Sequence, residues 1–91
     1  WVQLSPRIET GSKSIMFGGS NVYAYTIPFG RQFSRPPVVV ASMGTAAGGT
    51  TQIDVKAYNI TSKDFGLAFI TNDGSKPNGV PAVANWIAVG V

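Results

Sequence analysis

The feature that most constrains this chain is a two-residue alternation of apolar and polar side chains that recurs from Pro36 to Val91. Successive side chains of an extended strand point to opposite faces, whereas the apolar positions of a helix recur roughly every 3.6 residues. An alternating stretch therefore buries one face only as a strand. The pattern is clearest where Ile53, Val55 and Ala57 oppose Asp54, Lys56 and Tyr58. Phe65, Leu67 and Phe69 repeat it, and Ala84, Trp86, Ala88 and Gly90 alternate with Asn85, Ile87, Val89 and Val91. Between these runs lie the turn formers of Asn59 to Asp64, which predict a hairpin, and the polar tip Asn72-Asp73-Gly74-Ser75, which predicts a longer connection.

The N-terminal part extends the same reading. Asn21 to Phe29 alternates, with Tyr23, Tyr25, Ile27 and Phe29 forming the inward face of a strand. Pro36-Pro37 opens an unbroken apolar run, Val38 to Ala41 and on to Met43, of the kind expected in a central strand covered on both faces. Trp1 to Ile8, interrupted by Pro6, reads as an edge strand, because proline cannot donate to a ladder. Thr10 to Asn21, rich in Gly, Ser and Lys, reads as a long loop anchored near Ile15, Met16 and Phe17. Gly30 to Arg35 is expected to turn around Phe33, and Gly44 to Thr51 to form a Gly/Ala/Thr loop. Six short strands without helical periodicity predict an all-β, six-stranded antiparallel β-sandwich, with residues 1–91 as a single domain. Trp1 is an unusual first residue, and the chain is expected to be a C-terminal piece of a longer protein.

Composition narrows the function. Ninety-one residues suffice to bury roughly two thirds of the surface exposed by the unfolded chain, so a core can form without staples. There is no cysteine, hence no disulfide or thiolate metal site, and no histidine, the commonest general base and metal ligand. The four acids, Glu9, Asp54, Asp64 and Asp73, fall in separate segments and form no close pair of the kind glycoside hydrolysis needs. These absences point to a binding protein rather than an enzyme, with no catalytic residue, metal or cofactor assigned. The net charge of +3 comes from scattered residues, whereas nucleic acid calls for a basic stripe. No apolar run approaches the roughly 18 residues of a membrane-spanning helix. Low charge, at 12% of residues, suits a module with surface buried between subunits.

The segment Thr71 to Asn78 gathers amide, carboxylate and hydroxyl groups on a loop that follows a strand. Sugar hydroxyls both donate and accept hydrogen bonds, and planar polar groups of this type meet them well, although the same residues make ordinary turns. Trp86 lies within a predicted strand and reads as core, and Asp64 as a turn former. Asn59-Ile60-Thr61 fits the glycosylation pattern but carries little weight by itself.

Phe29, then Arg35-Pro36-Pro37-Val38-Val39, Val55-Lys56-Ala57-Tyr58-Asn59-Ile60, Asp64-Phe65 and the closing Asn85-Trp86-Ile87-Ala88-Val89 together resemble the H-type lectin family in order and spacing. Val2-Gln3 fits the family's first strand. The resemblance implies a homotrimer that binds N-acetylgalactosamine or a related cell-surface sugar in clefts between protomers, with Lys56 and Tyr58 along the subunit contact. At the tip after the fifth strand, where animal members carry a Trp-His pair, this chain has Asn72-Asp73, and Gln52 stands at the place of a sugar-contacting arginine. The loop that supplies a further acidic contact in the family offers Ser20 and Asn21. The ligand-binding candidates are therefore Gln52, Asn72, Asp73 and Asn21. Similar domains occur in bacterial proteins and at the tips of phage tail fibres, which implies an extracellular or virion-surface location.

Overall fold

The computed structural model of the chain describes residues 6–46, 53–71, 76 and 78–91. Its strands are β1 (Arg7–Gly18), β2 (Val22–Pro28), β3 (Val38–Ala46), β4 (Ile53–Tyr58), β5 (Asp64–Thr71) and β6 (Asn78–Gly90). They form two antiparallel three-stranded sheets, ordered β1-β6-β3 and β2-β5-β4, which is the expected six-stranded β-sandwich.

The core follows from the residues on the two central strands. Along β6 the inward row is Ala82, Ala84, Trp86 and Ala88, all buried and all small except the indole. Along β5 it is Phe65, Leu67 and Phe69, each fully buried. A row of small side chains on one sheet leaves room for a row of large ones on the other, so the two rows can interdigitate. Trp86 fills the centre: its ring lies 5.1 Å from Phe65 and 6.1 Å from Phe29, in edge-to-face contacts. Its in-register neighbours are Gly11 on β1 and Ala41 on β3, the small residues that admit an indole. Phe33 anchors the β2–β3 connection as expected, buried and 4.9 Å from Phe29.

Three sequence expectations are corrected. Thr10 to Gly18 is not a loop but most of β1, paired residue by residue with β6 from Arg7 to Phe17. Gly, Ser and Lys are weak strand formers, yet a long partner strand supplies the ladder hydrogen bonds that their propensity does not. Within it Phe17 is buried while Met16 is exposed, as the alternation of a strand requires. Second, β3 is not a central strand. It lies at the edge of its sheet, and Val38 and Val40 are 69% and 58% exposed. The strand covered on both faces is β5, where the ring of Tyr58 on β4 lies over outward-facing Gly66. Third, β3 runs on through Gly44 to Ala46 and β6 begins at Asn78, so both strands are longer than the alternation suggested.

One end of the sandwich is fastened by polar contacts. The Glu9 carboxylate accepts a hydrogen bond from the Gly30 amide at 2.8 Å, and Arg7 donates to the Arg31 carbonyl at 2.7 Å. The Arg7 guanidinium also stacks 3.7 Å from the centre of the Phe33 ring. Ser34 donates through its amide and its hydroxyl to the Val91 carbonyl. The Arg7–Glu9 ion pair itself, at 3.3 Å and half-buried, adds little. Glu9→Ala is therefore expected to cost about 1 kcal/mol, chiefly through the Gly30 amide. A lower urea midpoint at unchanged m-value checks it; an unmoved midpoint would show that solvent replaces the carboxylate in full.

Candidate functional site

Antiparallel alternation sends the β1–β2, β3–β4 and β5–β6 connections out of the end opposite the fastened one. All four candidate residues belong to these connections. Gln52, Asn72 and Asp73 lie outside the described residues. Their covalent neighbours Ile53 and Thr71 are directly paired across β4 and β5. Asn21 is described: it is half-buried, and its backbone carbonyl accepts the Thr71 amide at 3.0 Å. The first connection is thus tied to the residue that leads into Asn72-Asp73.

A short network holds that connection. The Gly18 amide donates to the Tyr23 hydroxyl at 2.8 Å, and the Tyr23 ring packs edge-on against Phe17 at 5.1 Å. The Ser20 hydroxyl donates to the Val22 carbonyl at 3.1 Å. Gly19 turns the chain with φ +94°. The inward aromatic of β2 therefore serves the turn as well as the core. Lys76 and Asn78, both exposed, add polar groups where the chain enters β6.

The remaining acids are placed elsewhere. Glu9 holds the Gly30 amide at the opposite end. Asp64 closes the β4–β5 turn, where the Thr61 hydroxyl donates to its carboxylate at 2.9 Å and accepts the Lys63 amide at 3.0 Å. Asp54 stands on the outer face of β4 beside Lys56. Among the described residues no group of three carboxylates, histidines or cysteines is placed to hold a metal ion. Among the described residues no helix is long and apolar enough to cross a membrane.

The described strands define a small all-β sandwich of two antiparallel three-stranded sheets. The sequence profile of the H-type lectin domain matches residues 24–89, and the chain belongs to that family. Among solved structures it is similar to the tailspike gp61 of Pseudomonas phage phi297, with 21% identity and a TM-score of 0.76 over 92% of this chain and 15% of that one. It is similar also to the tailspike gp49 of Pseudomonas phage LKA1, with 16% identity and a TM-score of 0.74 over 92% of this chain and 15% of the other. Discoidin II of Dictyostelium discoideum shares 24% identity at a TM-score of 0.73, covering 93% of this chain and 37% of that protein. The chain thus spans only a part of each of these proteins. No curated protein matches it by sequence.

Proposed function

We propose that this domain recognises a cell-surface glycan as one protomer of a homotrimer, in clefts between neighbouring subunits, and that it acts by binding and not by catalysis. The observation that carries the reading is the match to the H-type lectin domain over residues 24–89, supported by the Thr71–Asn21 hydrogen bond that ties the start of the β5–β6 connection to the β1–β2 connection. Gln52, Asn72, Asp73 and Asn21 are the groups assigned to the sugar, all neutral amides except Asp73. An uncharged sugar suits such a set, since amides and a carboxylate can satisfy its hydroxyls as donors and acceptors. Three linked sites convert weak single contacts into an avidity higher by roughly two orders of magnitude or more. The similarity to two phage tailspikes, of which the chain spans a small fraction, favours an extracellular or virion-surface position for the parent protein.

The test is a glycan array probed with the wild-type domain, followed by Asp73→Ala and Asn72→Ala. Each substitution is expected to lower affinity for the best ligand at least tenfold, the worth of one or two hydrogen bonds to a sugar, while thermal unfolding stays unchanged. Binding that survives both would remove the β5–β6 connection from the site. The tailspike similarity also favours a second reading, a trimeric head that caps a fibre and needs no sugar. An array without any ligand, beside a stable trimer, decides for it.

A further inference from the structure

Among the asparagines of this chain, Asn78 is the one that glycine follows. Valine, isoleucine, aspartate and tryptophan follow Asn21, Asn59, Asn72 and Asn85 respectively. The difference bears on reactivity, because the backbone nitrogen of the following residue can attack an asparagine side chain, and a substituent on that residue hinders the approach. Glycine leaves the path open.

The structure adds three conditions at the same place. Asn78 opens β6 and is exposed, and among the described residues no hydrogen bond holds its side-chain amide. The register of β6 on β1 shifts here: Phe17 stands opposite Val80 and Gly18 opposite Asn78, so Gly79 is an extra residue without a counterpart. A bulge leaves its extra residue outside the regular ladder, and the Gly79 nitrogen is therefore not locked as a strand amide is. Gly79 also takes φ +73°, the left-handed region open to glycine, and a Cβ built on it would meet nothing within 4 Å. Asn85 shows the opposite situation, since it is paired within the same strand with Ser12 on one side and Ser42 on the other and precedes buried Trp86.

We propose that Asn78-Gly79 is a site of spontaneous modification, at which Asn78 is converted to aspartate and isoaspartate. The Gly79 nitrogen attacks Cγ of Asn78. An N–Cγ bond forms, the Cγ–Nδ2 bond breaks, and the proton of the Gly79 nitrogen leaves with the ammonia. The result is a five-membered cyclic imide. Water is the co-reactant that reopens it: addition at Cγ restores the main chain and gives aspartate, whereas addition at the backbone carbonyl carbon leaves the chain running through Cγ, which is isoaspartate. No electrons are transferred. Either product puts a carboxylate where a neutral amide stood, so the formal net charge of +3 falls by one, to +2. The new charge lies where the connection from Asn72-Asp73 enters β6. Isoaspartate also inserts a methylene into the main chain opposite Gly18, whose amide donates to the Tyr23 hydroxyl at 2.8 Å, and so disturbs the β1–β2 turn.

Incubation of the folded wild-type domain at mildly alkaline pH, followed by isoelectric focusing, ammonia assay and peptide mapping, tests the proposal. Released ammonia and a new acidic band are expected, with the change mapping to Asn78 while Asn21, Asn59, Asn72 and Asn85 stay intact. The folded domain should react within roughly tenfold of the rate of a free peptide spanning residues 76–80, a barrier difference under about 1.4 kcal/mol. Asn78→Gln, which would have to close a six-membered ring, is expected to give no acidic band. Isomerisation at Asp73-Gly74 does not interfere, because an aspartate releases no ammonia and gains no charge. Earlier conversion at another asparagine overturns the proposal, and so does an acidic band of equal strength in N78Q. A folded domain that stays unmodified while the peptide converts completely overturns it too, since the strand would then hold the Gly79 nitrogen.

Discussion

Phe65→Ala is expected to destabilise the domain by about 3–5 kcal/mol, the cost of a fully buried phenylalanine whose cavity cannot collapse. Phe65 sits on β5 with no exposed surface and touches both Phe29, at 5.5 Å in a stacked arrangement, and Trp86, at 5.1 Å edge-on. These rings bridge the two sheets, so their loss weakens the joint between layers and not merely one strand. The neighbours are poorly placed to fill the gap. Ala84 and Ala88 on β6 flank the inward-facing Trp86 and carry no atoms beyond Cβ to move inward. A domain of this size is stable by roughly 5–15 kcal/mol, so the substitution removes a large share. The thermal midpoint should fall by some tens of degrees, at about 4–8 °C per kcal/mol. Differential scanning calorimetry decides; a fall of only a few degrees would mean that the sheets close over the cavity.

Gly11→Val is the second large effect, and it arises from the opposite fault. A Cβ at position 11 would stand 2.5 Å from Cζ2 of Trp86 and 2.7 Å from Cε2. The indole cannot retreat, because Phe29 and Phe65 pack against it from the other sheet. Valine is the better strand former, but that gain is under about 1 kcal/mol, while overpacking a rigid core costs about 3 kcal/mol. Net destabilisation of about 2 kcal/mol or more is expected, with a changed near-ultraviolet signal from the displaced indole. Gly66 supplies the contrast. A Cβ there would also meet a ring, Tyr58 at 2.6 Å from Cε1, but Tyr58 is half-buried on an outer face and can swing into solvent. Gly66→Ala should therefore cost clearly less than Gly11→Val. Equal losses in urea titrations would contradict the argument that it is the rigidity of the covering ring that sets the cost.

The candidate site was legible only in part. The polar run Thr71 to Asn78 is visible as composition, and the family pattern from Phe29 to Val89 places it at the end of β5. Asn21 joins it in the sequence only through the family resemblance; the tie itself is not visible there, since Asn21 and Thr71 are distant in the chain and meet through a backbone hydrogen bond that has no side-chain signature. The exposure of Val38 and Val40 escaped for a related reason. Val38 to Ala41 looks the same in sequence whether its second face meets a helix, another chain or water, and only the strand order β1-β6-β3 shows β3 at an edge.

What the sequence by itself determined was the face each side chain takes. Ile53, Val55, Phe65, Leu67, Phe69, Ala84, Trp86 and Ala88 all point inward as the two-residue period requires, because that period is a property of extended backbone and needs no partner. What only the tertiary structure decided was which strands lie side by side, and with it the conversion of Thr10 to Gly18 from loop to strand and of β3 from centre to edge. Backbone amides and carbonyls pair alike whatever side chains they carry, so pairing is settled by the joint packing of both sheets around Trp86 and Phe65, which no local stretch of sequence encodes.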